Sequence, residues 1–219
     1  SKIASHLDNS VSCRVCLDSW SETQQEQAWI AMSQCKRRIF SGLLSANLGV
    51  SFGLKRFAAN NDSEEWYREE YTPKAQFRKY NMNISWYKPM NNFYYKTNIV
   101  GQYSKDILYS QEKIGIGDDT SVRGFKDEST QGDKGFYIRN EIGYKGNQFL
   151  EPYIGYDYGR VFNNKVNDNK VETLQGVAIG IKGYFKSFEG NFSIAKPIDK
   201  PRYFRNNKAV VYTSLTYRF

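Results

Sequence analysis

"SGLLSANLGVSFGLKRF", residues 41–57, decides the fold. Leu44, Ala46, Leu48, Val50, Phe52 and Leu54 share one parity, while Ser45, Asn47, Gly49, Ser51, Gly53 and Lys55 share the other. Strict two-residue alternation describes a β-strand with one apolar and one polar face. The run is also longer than the about 5–6 residues of an average soluble strand.

The same pattern recurs along the chain. "QFRKYNMNISWY" (76–87) sets Tyr80, Met82, Ile84 and Trp86 against Asn81, Asn83 and Ser85. "FYYKTNIVGQYS" (93–104) sets Phe93, Tyr95, Ile99 and Tyr103 against Lys96, Asn98, Gln102 and Ser104. "GFYIRNEIGYK" (135–145), "FLEPYIGYDYGRVF" (149–162), "VETLQGVAIGIKGYF" (171–185), "FEGNFSIAK" (188–196) and "AVVYTSLTYRF" (209–219) continue it. From Arg38 onward this makes about eight strands, three before and five after a glycine-rich, charged stretch at about residues 106–132.

A soluble sandwich alternates as well. Here, however, the strands are long, and their polar faces carry Gly, Ser, Asn and paired charges. Aromatics gather near strand ends, as in "WYKP" (86–89), "NNFYY" (91–95) and "GYF" (183–185), which is the girdle pattern of membrane barrels. No segment approaches the ~18 continuous apolar residues of a spanning helix, but barrels cross with strands of ~9–11 residues. An all-β, transmembrane antiparallel barrel is therefore expected, with Leu44, Leu48, Phe52, Ile154, Ile179, Ile181 and Leu215 facing outer-membrane lipid. The chain starts at Ser1 without a charged-then-apolar leader, so an export signal is expected to be removed or to lie outside it.

The net charge of +8 is spread along the chain rather than gathered in a stripe, and no nucleic-acid recognition motif accompanies it. Solvated basic loops explain it, and no nucleic-acid partner is expected.

Residues 1–36 differ in composition. They hold Cys13, Cys16, Cys35 and the only histidine, His6, but no Tyr or Phe. Val11, Cys13, Val15 and Leu17 share one parity, which allows a short strand. Ser21 and Gln24 have capping-box spacing, which equally allows a short helix. The segment is expected to stand apart from the barrel, residues 37–219. Cys13-x₂-Cys16 is a zinc spacing, but a second ligand pair is absent, so a disulfide or free thiols are preferred and no metal or cofactor is expected. No nucleophile–base pair or phosphate loop is present, so no enzyme is expected.

"GIGDDTSVRGFKDESTQGDKGFYIRNE" (115–141) carries a family resemblance. Its Val122-Arg123-Gly124-Phe125 core, the "GQYS" strand end before it and the "GDKGFYIRNE" exit after it resemble the transporter component of two-partner secretion. The resemblance covers about residues 38–219. It implies that the loop folds into the barrel lumen and that Arg123 meets a carboxylate on the inner wall. The matching wall motif is Gly155, Asp157 and Gly159 in "IGYDYG", where Asp157 shares the parity of Glu151. Glycines there leave room for a loop tip, and an arginine–aspartate fork has directional strength. Leu215, Tyr217 and the terminal Phe219 resemble the signal read by the barrel assembly machinery, which implies a native C-terminus.

The resemblance further implies a barrel of about sixteen strands preceded by POTRA domains, of which this chain is the C-terminal half. Eight strands enclose a space that side chains fill, too narrow for a folded loop and a passing chain together. A fragment, a disrupted gene product or an open sheet would each account for the count. The implied function is export of a large unfolded adhesin or haemolysin-like exoprotein. The alternatives are an insertase of the same superfamily or the anchor barrel of a surface enzyme.

Overall fold

The structure is a computed structural model and describes residues 12–19, 27–54, 76–146, 149–164, 171–205 and 207–218, of which 12–19, 27–32 and 54 are described by their backbone alone. The strands are β1 (Ser12–Ser19), β2 (Gln27–Ile39), β3 (Gly42–Leu54), β4 (Arg78–Met90) and β5 (Phe93–Ser104). After them come β6 (Ile114–Ile116), β7 (Thr130–Gly132), β8 (Lys134–Tyr144), β9 (Leu150–Phe162), β10 (Val171–Phe185), β11 (Phe188–Asp199) and β12 (Val210–Tyr217). Ten of them form one sheet in the order β1-β2-β3-β4-β5-β8-β9-β10-β11-β12, and every pairing in it is antiparallel. β6 and β7 form a separate small hairpin inside the β5–β8 connection.

The eight strands read from Arg38 onward are β3, β4, β5 and β8 to β12. Two more come from the N-terminal segment, and there the expectation is corrected. Composition set residues 1–36 apart, yet β1 pairs with β2, and β2 pairs with β3 from Gln27 to Ile39. The helix allowed by the Ser21–Gln24 spacing gives way from Gln27 onward to a strand with a neighbour on each side. Pairing is a backbone property, and two flanking strands outweigh a local capping signal. Ser21 and Gln24 themselves, like His6, lie outside the described residues. Cys35 is disulfide-bonded, and its register partner on β1 is Cys13.

Connections alternate in length. Phe40 and Ser41 (φ 51° and 62°), Asn91 (φ 53°) and Lys186 (φ 51°) sit in tight turns whose left-handed backbone matches strand twist. The opposite end carries the long connections. In outer-membrane barrels short turns face the periplasm and long loops the exterior. Aromatic pairs mark both rims: Phe93–Tyr144 at 5.1 Å and Phe188–Tyr217 at 4.9 Å near the short turns, Tyr80–Tyr103 at 6.5 Å near the long loops.

One face of the sheet is apolar and bare. Ile154, Ile179 and Leu215 expose 59%, 61% and 73% of their surface, far more than a soluble protein leaves to aliphatic side chains in a row. Leu48 and Phe52 are exposed on β3, while Leu44 is half-buried. The other face is concave and polar. Asn47 on β3 and Ser214 on β12 line the same cleft of about 480 Å³, so the sheet curls around it.

Candidate functional site: an inward loop seated on the barrel wall

Residues 105–133 leave β5, enter the concave face and return to β8. A loop of this length must satisfy its backbone polar groups somewhere. Part of the need is met internally: a 3₁₀ turn at Ser110–Glu112, then the β6–β7 hairpin. The tip is shaped by Asp118, which accepts the N–H groups of Thr120 (2.9 Å) and Ser121 (2.7 Å). Burial works against the Asp118 charge, but hydrogen bonds from Ser121 and Thr120 outweigh it and hold its carboxyl below the usual range.

Arg123 stands at the end of this tip, 3% exposed, against the fully buried Asp157 of β9. Its Nε and Nη2 donate to Asp157 Oδ2 and Oδ1 at 2.7 and 2.9 Å, and its own backbone N–H donates to Oδ2 at 3.1 Å. One carboxylate thus fixes both the side chain and the backbone of the tip. Burial alone would lower the Arg123 pKa, but its hydrogen bonds to Asp157 and that group's charge raise it, so the guanidinium stays charged. The Arg123 guanidinium also lies 5.9 Å from the Tyr153 ring, and Lys182 lies 4.7 Å from the same ring. Lys182 in turn pairs with Glu141, which accepts the Tyr94 hydroxyl at 2.6 Å.

The glycines have a spatial reason. A Cβ at Gly159 would sit 2.7 Å from Val122 Cγ2, and one at Gly155 would collide with Arg123 Nη2. Gly124 needs its own lack of a side chain twice over: φ is +105°, and a Cβ would lie 2.7 Å from the Lys196 carbonyl carbon on β11. Val122 and Phe125 flank the pair and are buried with Ile114, Ile116, Val161, Leu174 and Phe204 in a small apolar cluster on the inner face. The structure therefore brings Val122, Arg123, Gly124 and Phe125 onto Gly155, Asp157 and Gly159. Leu215 and Tyr217 are elsewhere, on the outer face of β12, and Phe219 lies outside the described residues.

Several contributors escaped the sequence reading. Tyr212 of β12 accepts the Gly124 N–H at 3.2 Å and donates to the Phe125 carbonyl at 3.3 Å. Phe204, in the polar β11–β12 connection, packs edge-on to Phe125 at 5.9 Å. Thr130 donates to the buried Glu172 of β10. The available signals were faint: an inward parity for Tyr212, and a Tyr203-Phe204 pair in an otherwise polar loop.

The similarities to known proteins run the same way. The chain is 28% identical over 183 residues to the outer membrane transporter CdiB of Dickeya dadantii (strain 3937), covering 80% of this chain and 32% of that protein. It is 30% identical over 135 residues to the haemolysin transporter protein HpmB of Proteus mirabilis, covering 55% and 22%. Its fold matches the solved structure of CdiB from Escherichia coli with a TM-score of 0.79 at 23% identity, over 87% of this chain and 36% of that one. The chain thus spans about a third of the length of the first of these relatives and is part of an outer-membrane β-barrel. The model of the haemolysin secretion/activation protein family ShlB/FhaC/HecB matches residues 21–183, and the chain belongs to that family.

Proposed function

We propose that the protein to which this chain belongs exports a large, unfolded exoprotein through its barrel by two-partner secretion, and that the Arg123 loop is the lock of that passage. The relatives are transporters by name, and of these two only the name of HpmB specifies a cargo, haemolysin, so the kind of cargo is the finer part of the proposal. The observation that carries the lock is the Arg123–Asp157 pair, buried where an exported chain would need room. The passage needs no catalytic step from this chain and no cofactor. Its apolar outer face meets lipid, and Leu215, Tyr217 and Phe219 act as the signal to the barrel assembly machinery. The whole transporter would supply the strands and substrate-capturing domains upstream.

The test is a double-mutant cycle in the full-length parent, scored by secreted exoprotein with barrel levels measured in parallel. Removing one partner of a buried pair costs ~3–5 kcal/mol, because a charge is left unpaired. Arg123→Ala and Asp157→Ala should each abolish secretion while the barrel still reaches the membrane. The double variant should be little worse than either, since the second change removes an orphan. Fully additive losses, or normal secretion by Arg123→Ala, would mean that the loop does not lock the passage.

A further inference from the structure

The loop is fastened in a second place, at its root on the long-loop rim. There the fully buried carboxylate of Asp133 sits where the outbound limb of the loop, its return limb and the β9–β10 connection meet. Oδ1 accepts the Leu108 N–H at 2.8 Å, Oδ2 accepts the Asn164 N–H at 2.8 Å, and Lys113 Nζ lies 3.5 Å from Oδ1. Leu108 and Lys113 come from the outbound limb, and Asn164 from the β9–β10 connection. The knot is tied further to the sheet: Asn164 Nδ2 donates to the carbonyls of Ser104 (3.0 Å) and Asp106 (3.1 Å), and Lys113 donates to Asn163 Oδ1 at 3.0 Å. Gln102 of β5 donates to the Glu112 carbonyl at 2.9 Å. Beside Asp133, a Cβ on Gly132 would lie 2.8 Å from Phe162 N, so the return limb lies flat on β9.

We propose that Asp133 is the hinge anchor of the inward loop, holding its root to the rim independently of the Arg123 seat. An ionised carboxylate offers acceptors only, which suits two converging N–H groups; an amide in its place would turn a donor toward one of them. Charge-assisted bonds of this kind are about twice as strong as neutral ones. The root is hydrogen-bonded to β5 and the β9–β10 connection, whereas the tip is hydrogen-bonded to β9 and β12, and the two share no hydrogen-bonding partner. When the tip leaves the wall, the loop therefore swings as a tethered flap and returns to the same seat. The anchor follows from the geometry alone; its part in export rests on the proposed function.

Trypsin applied to whole cells carrying the full-length parent tests the anchor, with fragments mapped by mass and secretion measured separately. Lys126 reports the tip and Lys113 the root. Arg123→Ala should open Lys126 while Lys113 stays protected. Asp133→Asn should speed cutting at Lys113 about tenfold while Lys126 stays protected, and the double variant should show both rates unchanged, as for independent sites. Asn164→Ala leaves Asp133 and its backbone partners in place but removes the side-chain bonds from the β9–β10 connection to the Ser104 and Asp106 carbonyls, and should give a smaller acceleration at Lys113; it decides the matter if Asp133→Asn does not assemble. Cutting at Lys113 no faster than in the parent, or one shared fragment pattern for the tip and root variants, overturns the anchor. Loss of secretion without either change in cutting would count against the lock reading and leave no role for the hinge in it.

Discussion

On β3 to β5 the inner face carries Ser45, Asn47, Asn81, Asn83, Ser85 and Asn98, none of them buried, while Gly49, Ser51, Tyr94 and Ser104 of the same parity are. On β9 and β10 the same face carries Tyr153, Gly155, Asp157, Gly159, Val161, Glu172, Leu174, Gly176 and Ala178, and all of them are buried. Both regions obey the same two-residue alternation. They differ in what covers them. The first lines the polar cleft, and the second is a protein interior formed with the loop. Parity therefore reports which way a side chain points, but the chemistry of the inward residues reports what it meets. Amides and hydroxyls suit water; glycines, a lone aspartate and misplaced aliphatics suit a docked segment.

Beyond the Arg123–Asp157 pair itself, three substitutions can break this comparison, and the most damaging of them should be Leu174→Ala. Leu174 is fully buried and belongs to the apolar cluster that it forms with Val122, Phe125 and other loop residues. Truncating a buried leucine costs ~2–5 kcal/mol, transfer and cavity together. Asn83→Ala on the opposite wall should stay within about 0.5 kcal/mol, as for substitutions away from packed features. Hydrogen exchange of the loop amides in the membrane-inserted protein measures both. Equal protection in the two variants would show that the loop does not use β10 as a seat.

Tyr212→Phe should have a smaller effect. It keeps the ring on β12 and removes only the hydroxyl shared with Gly124 and Phe125. A typical hydrogen bond contributes ~0.5–1.5 kcal/mol net. Exchange should quicken at Gly124 and remain unchanged at Leu108, which the root holds. Uniform quickening along the whole loop would contradict separate fastenings.

The smallest effect should be that of pH on the tip turn. The Asp118 carboxyl is held below its ordinary range, so its contribution is complete above the ordinary carboxylate pKa. It is lost only as pH falls through the depressed value. Asp118→Asn should therefore quicken exchange at Thr120 and Ser121 slightly at neutral pH, and the parent should approach the variant only below about pH 4, the ordinary carboxylate range. A difference that vanishes already between pH 7 and pH 5 would mean that the carboxylate charge does not hold the turn.

Alternation from Leu44 onward determined the strands, their two faces and the bare apolar side, because side chains on extended backbone must alternate whatever surrounds them. The motifs around Arg123 and Asp157 were legible as residue types, and Val161 and Leu174 stood on the polar parity as a sign that could have been read. Two things were not legible. Composition hid β1 and β2, since strand pairing is settled by neighbouring backbone and not by aromatic content. Local sequence also could not bring Asp133 to Leu108 and Asn164, or Tyr212 to Gly124, which lies 88 residues away in the chain. Such contacts depend on strand register and on the curl of the sheet. Only the tertiary structure decided them, because a buried polar group finds its partner in space and leaves no local periodicity behind.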